Sequence, residues 1–136
     1  MKSISTTMNR GDFNVIASWI KPGERVLDLG CGDGTLLRRL IDERGARGYG
    51  IELENAAMLS ALENGINVIQ TDLEQGLAGF GDGTFDHVVL SRTLQTVLHT
   101  ENVLNEMLRV GREAVVSFPN FAYWTNRLAV MKGRMP

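Results

Sequence analysis

The stretch VLDLGCGDGTLL, residues 26–37, constrains this chain more than any other. Three glycines, Gly30, Gly32 and Gly34, alternate with other residues between two apolar runs. Glycine lacks a Cβ, so it tolerates positive φ and lets a ligand approach the backbone. The apolar run RVLDL (25–29) reads as a short strand. TLLRRLIDER (35–44) places Leu36, Leu37, Leu40 and Ile41 on one helical face, and Gly45 follows as its stop. The glycines therefore mark a strand-to-helix turn, the usual place for a ligand in alternating α/β chains.

The rest of the chain repeats that alternation. DFNVIASWI (12–20) has helical spacing with Asp12 as its N-cap, and KPGE is a turn. GYGIEL (48–53) reads as the second strand, followed by a helix capped by Asn55 and ended by Gly65. INVIQ (66–70) is the third strand, 72–84 is loop-rich, and FDHVVLS (85–91) is the fourth strand. A helix around 100–110, a fifth strand EAVVSF (113–118) and a last helix over 121–133 complete the pattern. This order predicts one doubly wound, mainly parallel α/β sheet with helices on both faces and right-handed crossovers. At 136 residues the chain is one domain.

The totals exclude several classes. A net charge of −2 argues against a nucleic-acid binder. MKSISTTMNRGDF has no apolar core for a signal peptide, and no run approaches the roughly 20 apolar residues of a membrane span. One cysteine cannot form an internal disulfide, so a reducing cytoplasm is the expected compartment. No pattern of metal-ligand spacing stands out.

Charge then separates the ligands that use glycine turns. The dinucleotide pattern G-x-G-x-x-G would need glycine where Thr35 stands, and the Gly-Lys-Ser/Thr of a phosphate loop is missing. Asp28 ends the first strand and Asp33 lies inside the turn. A diphosphate there would meet carboxylates, at roughly 4 kcal/mol per pair of charges about 4 Å apart at an effective dielectric of 20. S-adenosylmethionine (SAM), with its ammonium and sulfonium, would gain instead. Turn N–H groups would receive its carboxylate while Asp28 faces the ammonium. Glu52, ending the second strand, can accept both ribose hydroxyls, a feature that dinucleotide proteins share. Asp72, after the third strand, can accept from the adenine amino group beside the Leu73 N–H, with Leu53 against the ring. Each acid also has a plain structural role, Asp72 as a helix cap; their combination points to an adenosyl site. Cys31 belongs to this set by its place in the turn, and a catalytic thiol there is disfavoured.

On these residues the chain resembles class I SAM-dependent methyltransferases: VLDLGCGDG, GIELE and QTDLEQGL match successive cofactor segments and FDHVVLSRTLQ a fourth strand. WIKPGERVLDLGCGDG, SRTLQ, EMLRVGREAVVSFPNFAYWTNRL and KGRMP further resemble the methionine-biosynthesis protein W (MetW) family over nearly all of 12–136. The resemblance implies a Rossmann-like fold whose C-terminal strands six and seven are missing here. It implies cofactor roles for Asp28, Gly30, Gly32, Gly34, Glu52 and Asp72, with Leu73 at the adenine and Ser91 beside the methyl group. It also implies SAM or S-adenosylhomocysteine (SAH) as ligand and a homoserine O-acyltransferase as partner in methionine synthesis.

No residue stands out as catalytic. His99 reads first as a capping or surface residue, with a base role as its alternative, and His87 reads as structural. Arg92 and Gln95 can bind an acceptor carboxylate, with a plain exposed arginine as the safer reading of Arg92. Phe121, Tyr123 and Trp124 line either an acceptor pocket or the core. The expected function is a SAM-binding, methyltransferase-like protein of methionine synthesis. Its alternative is a methyltransferase that turns over a small-molecule acceptor unrelated to that route.

Overall fold

The structure, a computed structural model, describes residues 10–90, 100–120 and 125–132. Eleven elements are found among them, in the order α1 (Arg10–Ser18), β1 (Arg25–Leu29), α2 (Thr35–Arg44), β2 (Arg47–Glu52), α3 (Asn55–Glu63), β3 (Asn67–Gln70), α4 (Leu73–Ala78), β4 (Phe85–Leu90), α5 (Thr100–Val110), β5 (Gly111–Asn120) and β6 (Thr125–Lys132). The strands form one sheet in the order β3-β2-β1-β4-β5-β6. The first five run parallel and β6 runs antiparallel on the outer edge of β5. This is the doubly wound α/β sheet that the alternation predicts.

Alternation along each strand divides the core between the two faces. On β4, Val89 packs with Phe13, Ile16, Leu37, Leu40, Ala61 and Ile66, from or beside α1, α2 and α3. Val88 and Leu90 point the other way, toward Leu77, Val103 and Met107 from α4 and α5. On β1, Val26 belongs to the first cluster and Leu27 and Leu29 to the second. Both faces are covered, which is why the central strands read as continuous apolar runs. Leu37 and Leu40 are fully buried and anchor α2, each worth about 1.5–3 kcal/mol of transfer free energy.

β1 lies between β2 and β4, so the order of the strands reverses there. The register pairs Leu29 with Ile51 on one side and with Leu90 on the other. The carboxyl ends of β1, β2 and β4 thus lie side by side, and the crevice beyond such a reversal is where open α/β sheets hold ligands.

Four local expectations are corrected. The segment 121–133, expected as a helix, supplies β6 from Thr125 to Lys132, so a sixth strand, expected to be missing, is present on β5, with Ala114 opposite Met131 and Val116 opposite Ala129. An uncovered β5 would leave a row of unpaired N–H and C=O groups, and pairing them outweighs the helical preference of Leu, Ala and Met. The loop-rich stretch 72–84 contains α4, started by Asp72. Asn55 is the first residue of α3 rather than its cap. Its Oδ1 accepts from Gln70 Nε2 at 3.3 Å, so the side chain is used toward β3. Asp12 lies inside α1 rather than at its cap.

Candidate functional site

The site is built on the turn from β1 to α2. Gly30, Gly32 and Gly34 all have positive φ, 70°, 62° and 83°. The turn is fastened to β2. Gly30 N–H and Cys31 N–H both donate to Ile51 O, at 2.7 and 3.0 Å, and Gly32 N–H donates to Glu52 Oε1 at 2.8 Å. Gly34 N–H closes back on Cys31 O at 3.0 Å. Asp33 Oδ1 accepts from Thr35 N–H at 3.0 Å and from Thr35 Oγ1 at 2.7 Å, which places a negative charge at the start of α2.

The expected acids sit at these strand ends. Asp28 is 1 % exposed and is the next-to-last residue of β1. Glu52, 9 % exposed, ends β2, and its second oxygen accepts from Glu54 N–H at 3.0 Å. Leu53 follows at 63 % exposure, a large apolar side chain left facing outward beside the glycine turn. The Leu53 carbonyl accepts from Gln70 Nε2 at 3.3 Å, which ties this loop to the end of β3. Asp72 is exposed after β3, and its Oδ1 accepts from Gln75 N–H at 2.7 Å as the N-cap of α4. Leu73 opens that helix and is half-buried. Sequence reasoning did not find Gln70 or Glu54; their roles depend on which strand ends meet. Ser91, Arg92, Gln95, His99, Phe121, Tyr123 and Trp124 lie outside the described residues.

Cys31 is buried and packs in the core cluster of α2 and α3. Burial, and then the negative charges of Asp28 and Glu52, push its thiol up to about 12. A thiol so placed stays protonated at neutral pH and is no nucleophile. Asp33 lies within this turn, Glu52 is hydrogen-bonded to it, and Asp28 stands two residues before Gly30 in β1.

One expectation about the turn is corrected. The N–H groups of Gly30, Cys31, Gly32 and Gly34 already donate to protein acceptors, so they do not stand ready for a ligand carboxylate. A diphosphate would need the same donors and would also meet the Glu52 and Asp33 carboxylates. The carboxylates at this turn therefore suit a ligand bearing positive charge better than a diphosphate. Among the described residues, no group of His, Cys, Asp or Glu is placed to hold a metal ion.

A second feature lies at the opposite end of the sheet. An open groove of about 1010 Å³ is lined by Trp19, Glu24, Asp86, His87, Arg112 and Glu113, among others. Its charges pair with one another. His87 Nε2 is 2.8 Å from Glu24 Oε1 and Nδ1 is 3.4 Å from Glu113 Oε1. Arg112 is 2.9 Å from Asp86, whose other oxygen accepts from Arg25 N–H. His87 is thus structural, as expected, bracing β4 against β5 and the turn before β1.

Comparison with known proteins bears on the family and the fold. The family model described as Methionine biosynthesis protein MetW matches residues 10–136. The chain belongs to the MetW family. It is 45 % identical over 120 residues to the bifunctional methionine biosynthesis protein MetXA/MetW of Rhodopirellula baltica, a match that covers 82 % of this chain and 19 % of that protein. It is 35 % identical to the ubiquinone/menaquinone biosynthesis C-methyltransferase UbiE of Ectopseudomonas mendocina, over 78 % of this chain and 46 % of that one. This MetW chain therefore spans less than half the length of either relative. Among solved structures, phosphoethanolamine N-methyltransferase 2 of Haemonchus contortus, in complex with S-adenosyl-L-methionine, matches with a TM-score of 0.69 at 20 % identity. That match covers 81 % of this chain and 28 % of the other, and it shows that the MetW chain has a Rossmann-like fold. No helix among the described residues is long and apolar enough to cross a membrane.

Proposed function

We propose that this MetW chain binds SAM, and its product SAH, on the turn from Gly30 to Gly34, and that it serves methionine synthesis beside a homoserine O-acyltransferase. One observation carries the ligand assignment. The N–H groups of Gly30, Cys31, Gly32 and Gly34 are spent on protein acceptors, and the carboxylates of Asp28, Asp33 and Glu52 stand before, within and against the turn. That electrostatic character favours a ligand bearing positive charge. SAM supplies a methyl group already activated on a sulfonium. In this reading Asp28 faces the ammonium and Glu52 keeps lone pairs for the ribose hydroxyls. Exposed Leu53 lies against the adenine, and Asp72 and Leu73 meet its edge. Gly30, Gly32 and Gly34 shape the turn, Cys31 supports it from the core, and Ser91 stands near the methyl group.

The partner assignment draws on the R. baltica relative, in which a MetW part is joined to MetXA within one bifunctional chain. A domain fused in one organism is a reasonable associate of a separate chain in another. A second reading is turnover of a small-molecule acceptor outside methionine synthesis. The 35 % identity to a C-methyltransferase of quinone biosynthesis favours it.

Calorimetric titration with SAM, SAH and NAD tests the ligand. Binding of SAM and SAH without NAD is expected; NAD binding in their place would overturn the assignment. Acyltransferase activity measured with and without this protein tests the partner, and equal activity removes it. Transfer of label from SAM to a small molecule in the absence of the acyltransferase would favour the second reading.

A further inference from the structure

Resting on the SAM reading above, we propose that Asn64 is a positioning residue for the cofactor turn, although it belongs to a different βα unit. Asn64 lies at the C-terminal end of α3. Its side-chain Nδ2 donates to the Asp33 carbonyl oxygen at 2.8 Å. The peptide plane that contains this carbonyl joins Asp33 to Gly34, so its orientation sets the φ of Gly34. That φ is +83°, in the left-handed region, and it lets the chain pass from the turn into α2.

The turn is thus held from two sides. On one side Ile51 O and Glu52 Oε1 accept from Gly30, Cys31 and Gly32. On the other, the corner between α3 and β3 supplies Asn64 and Ile66. A Cβ on Gly34 would lie 2.6 Å from Ile66 Cγ1, so this corner sits directly against the turn. Without Asn64 this peptide would keep only the bond from Gly34 N–H to Cys31 O, which lies within the turn itself.

Asn64 is itself fixed. Its backbone N–H donates to Ser60 O and Ala61 O, at 3.0 and 3.1 Å. Its backbone carbonyl accepts from Arg38 Nη1 at 3.1 Å, while the rest of that guanidinium is held by Asp42. The amide therefore reaches Asp33 from a base that α2 and α3 determine together. Rigid support of this kind raises affinity by lowering the ordering cost of binding.

Asn64 and Asp33 are both exposed. If the amide is removed, water takes its place at the Asp33 carbonyl, and little global stability is lost. Ligand affinity should respond more than stability, which separates positioning from a merely structural role. Histidine at this position can present an Nδ1–H donor close to where the asparagine Nδ2 lies.

The experiment compares the wild-type chain with Asn64→Ala and Asn64→His. Amide exchange at Gly32 and Gly34 is read without ligand, SAH affinity by calorimetry, and stability by the thermal midpoint. N64A should exchange faster at both glycines and bind SAH about three- to ten-fold more weakly, with a midpoint within a few degrees of wild type. N64H should recover most of the affinity. If wild type and N64A bind SAH equally, the inference falls while the SAM reading stands. Weaker binding without faster exchange also overturns it, because Asn64 would then act otherwise than through the turn. If the wild-type chain binds neither SAM nor SAH, the SAM reading falls and takes the inference with it.

Discussion

Gly34 shows how much one residue of the turn carries. Its φ of +83° would cost any residue with a Cβ about 1–2 kcal/mol. A Cβ there would also stand 2.6 Å from Ile66 Cγ1, and such overpacking costs about 1–3 kcal/mol more. Gly23 isolates the first of these effects. Its φ is +84°, and an added Cβ would meet nothing within 4 Å. Gly23→Ala should therefore lower stability by about 1–2 kcal/mol and Gly34→Ala by about 2–5 kcal/mol. Urea denaturation midpoints of the two variants check this, and equal losses would show that Ile66 gives way. The need for glycine was legible from the motif. The neighbour that makes Gly34 the stricter case was not, because Ile66 is 32 residues away in sequence.

The acids and donors of α3 and α4 show what one element asks of another. Asp72 caps α4 by accepting from Gln75 N–H at 2.7 Å, besides being the proposed adenine acceptor. Asp72→Ala should cost about 1 kcal/mol, and Asp72→Asn only a few tenths, because asparagine caps nearly as well. Chemical denaturation of both variants tests the cap independently of any ligand. The cap was readable in the sequence as a structural role for Asp72. The helix after it was not, because Gly76 and Gly79 gave that stretch the composition of a loop. Asn55 is the reverse case. A good capping residue stands at the start of a helix, yet its side chain is engaged by Gln70 of β3. Local preference identifies candidates for such roles, and competition with distant partners selects among them.

At the scale of the molecule, the two ends of the sheet are different electrostatic environments. The carboxyl end gathers acids around a glycine turn. The amino end carries the mutually paired network of Glu24, His87, Glu113, Arg112 and Asp86. Burial pulls the Glu24 carboxyl upward, but hydrogen bonds from Lys21 N–H and His87 outweigh it and hold the group below its ordinary range. A carboxylate lowered on folding contributes stability above its unfolded value, about 4.3, and loses it as pH falls through the lowered folded value. Wild-type stability should therefore decline more steeply below about pH 4 than that of Glu24→Gln. Denaturation midpoints from pH 3 to 6 test this, and parallel curves would show that Glu24 is not coupled to folding.

The sequence by itself determined the alternation of strands and helices, the glycine turn between β1 and α2, and the acids at the ends of the first three strands. These follow from periodicity, from glycine's missing Cβ and from charge, all of which act over a few residues. Only the tertiary structure decided that 125–132 pairs as a strand on β5, that Ile51 and Glu52 accept from Gly30, Cys31 and Gly32, and that Asn64 reaches back to Asp33. Each of these depends on backbone donors and acceptors finding partners across the sheet. That accounting closes only when distant segments are in place.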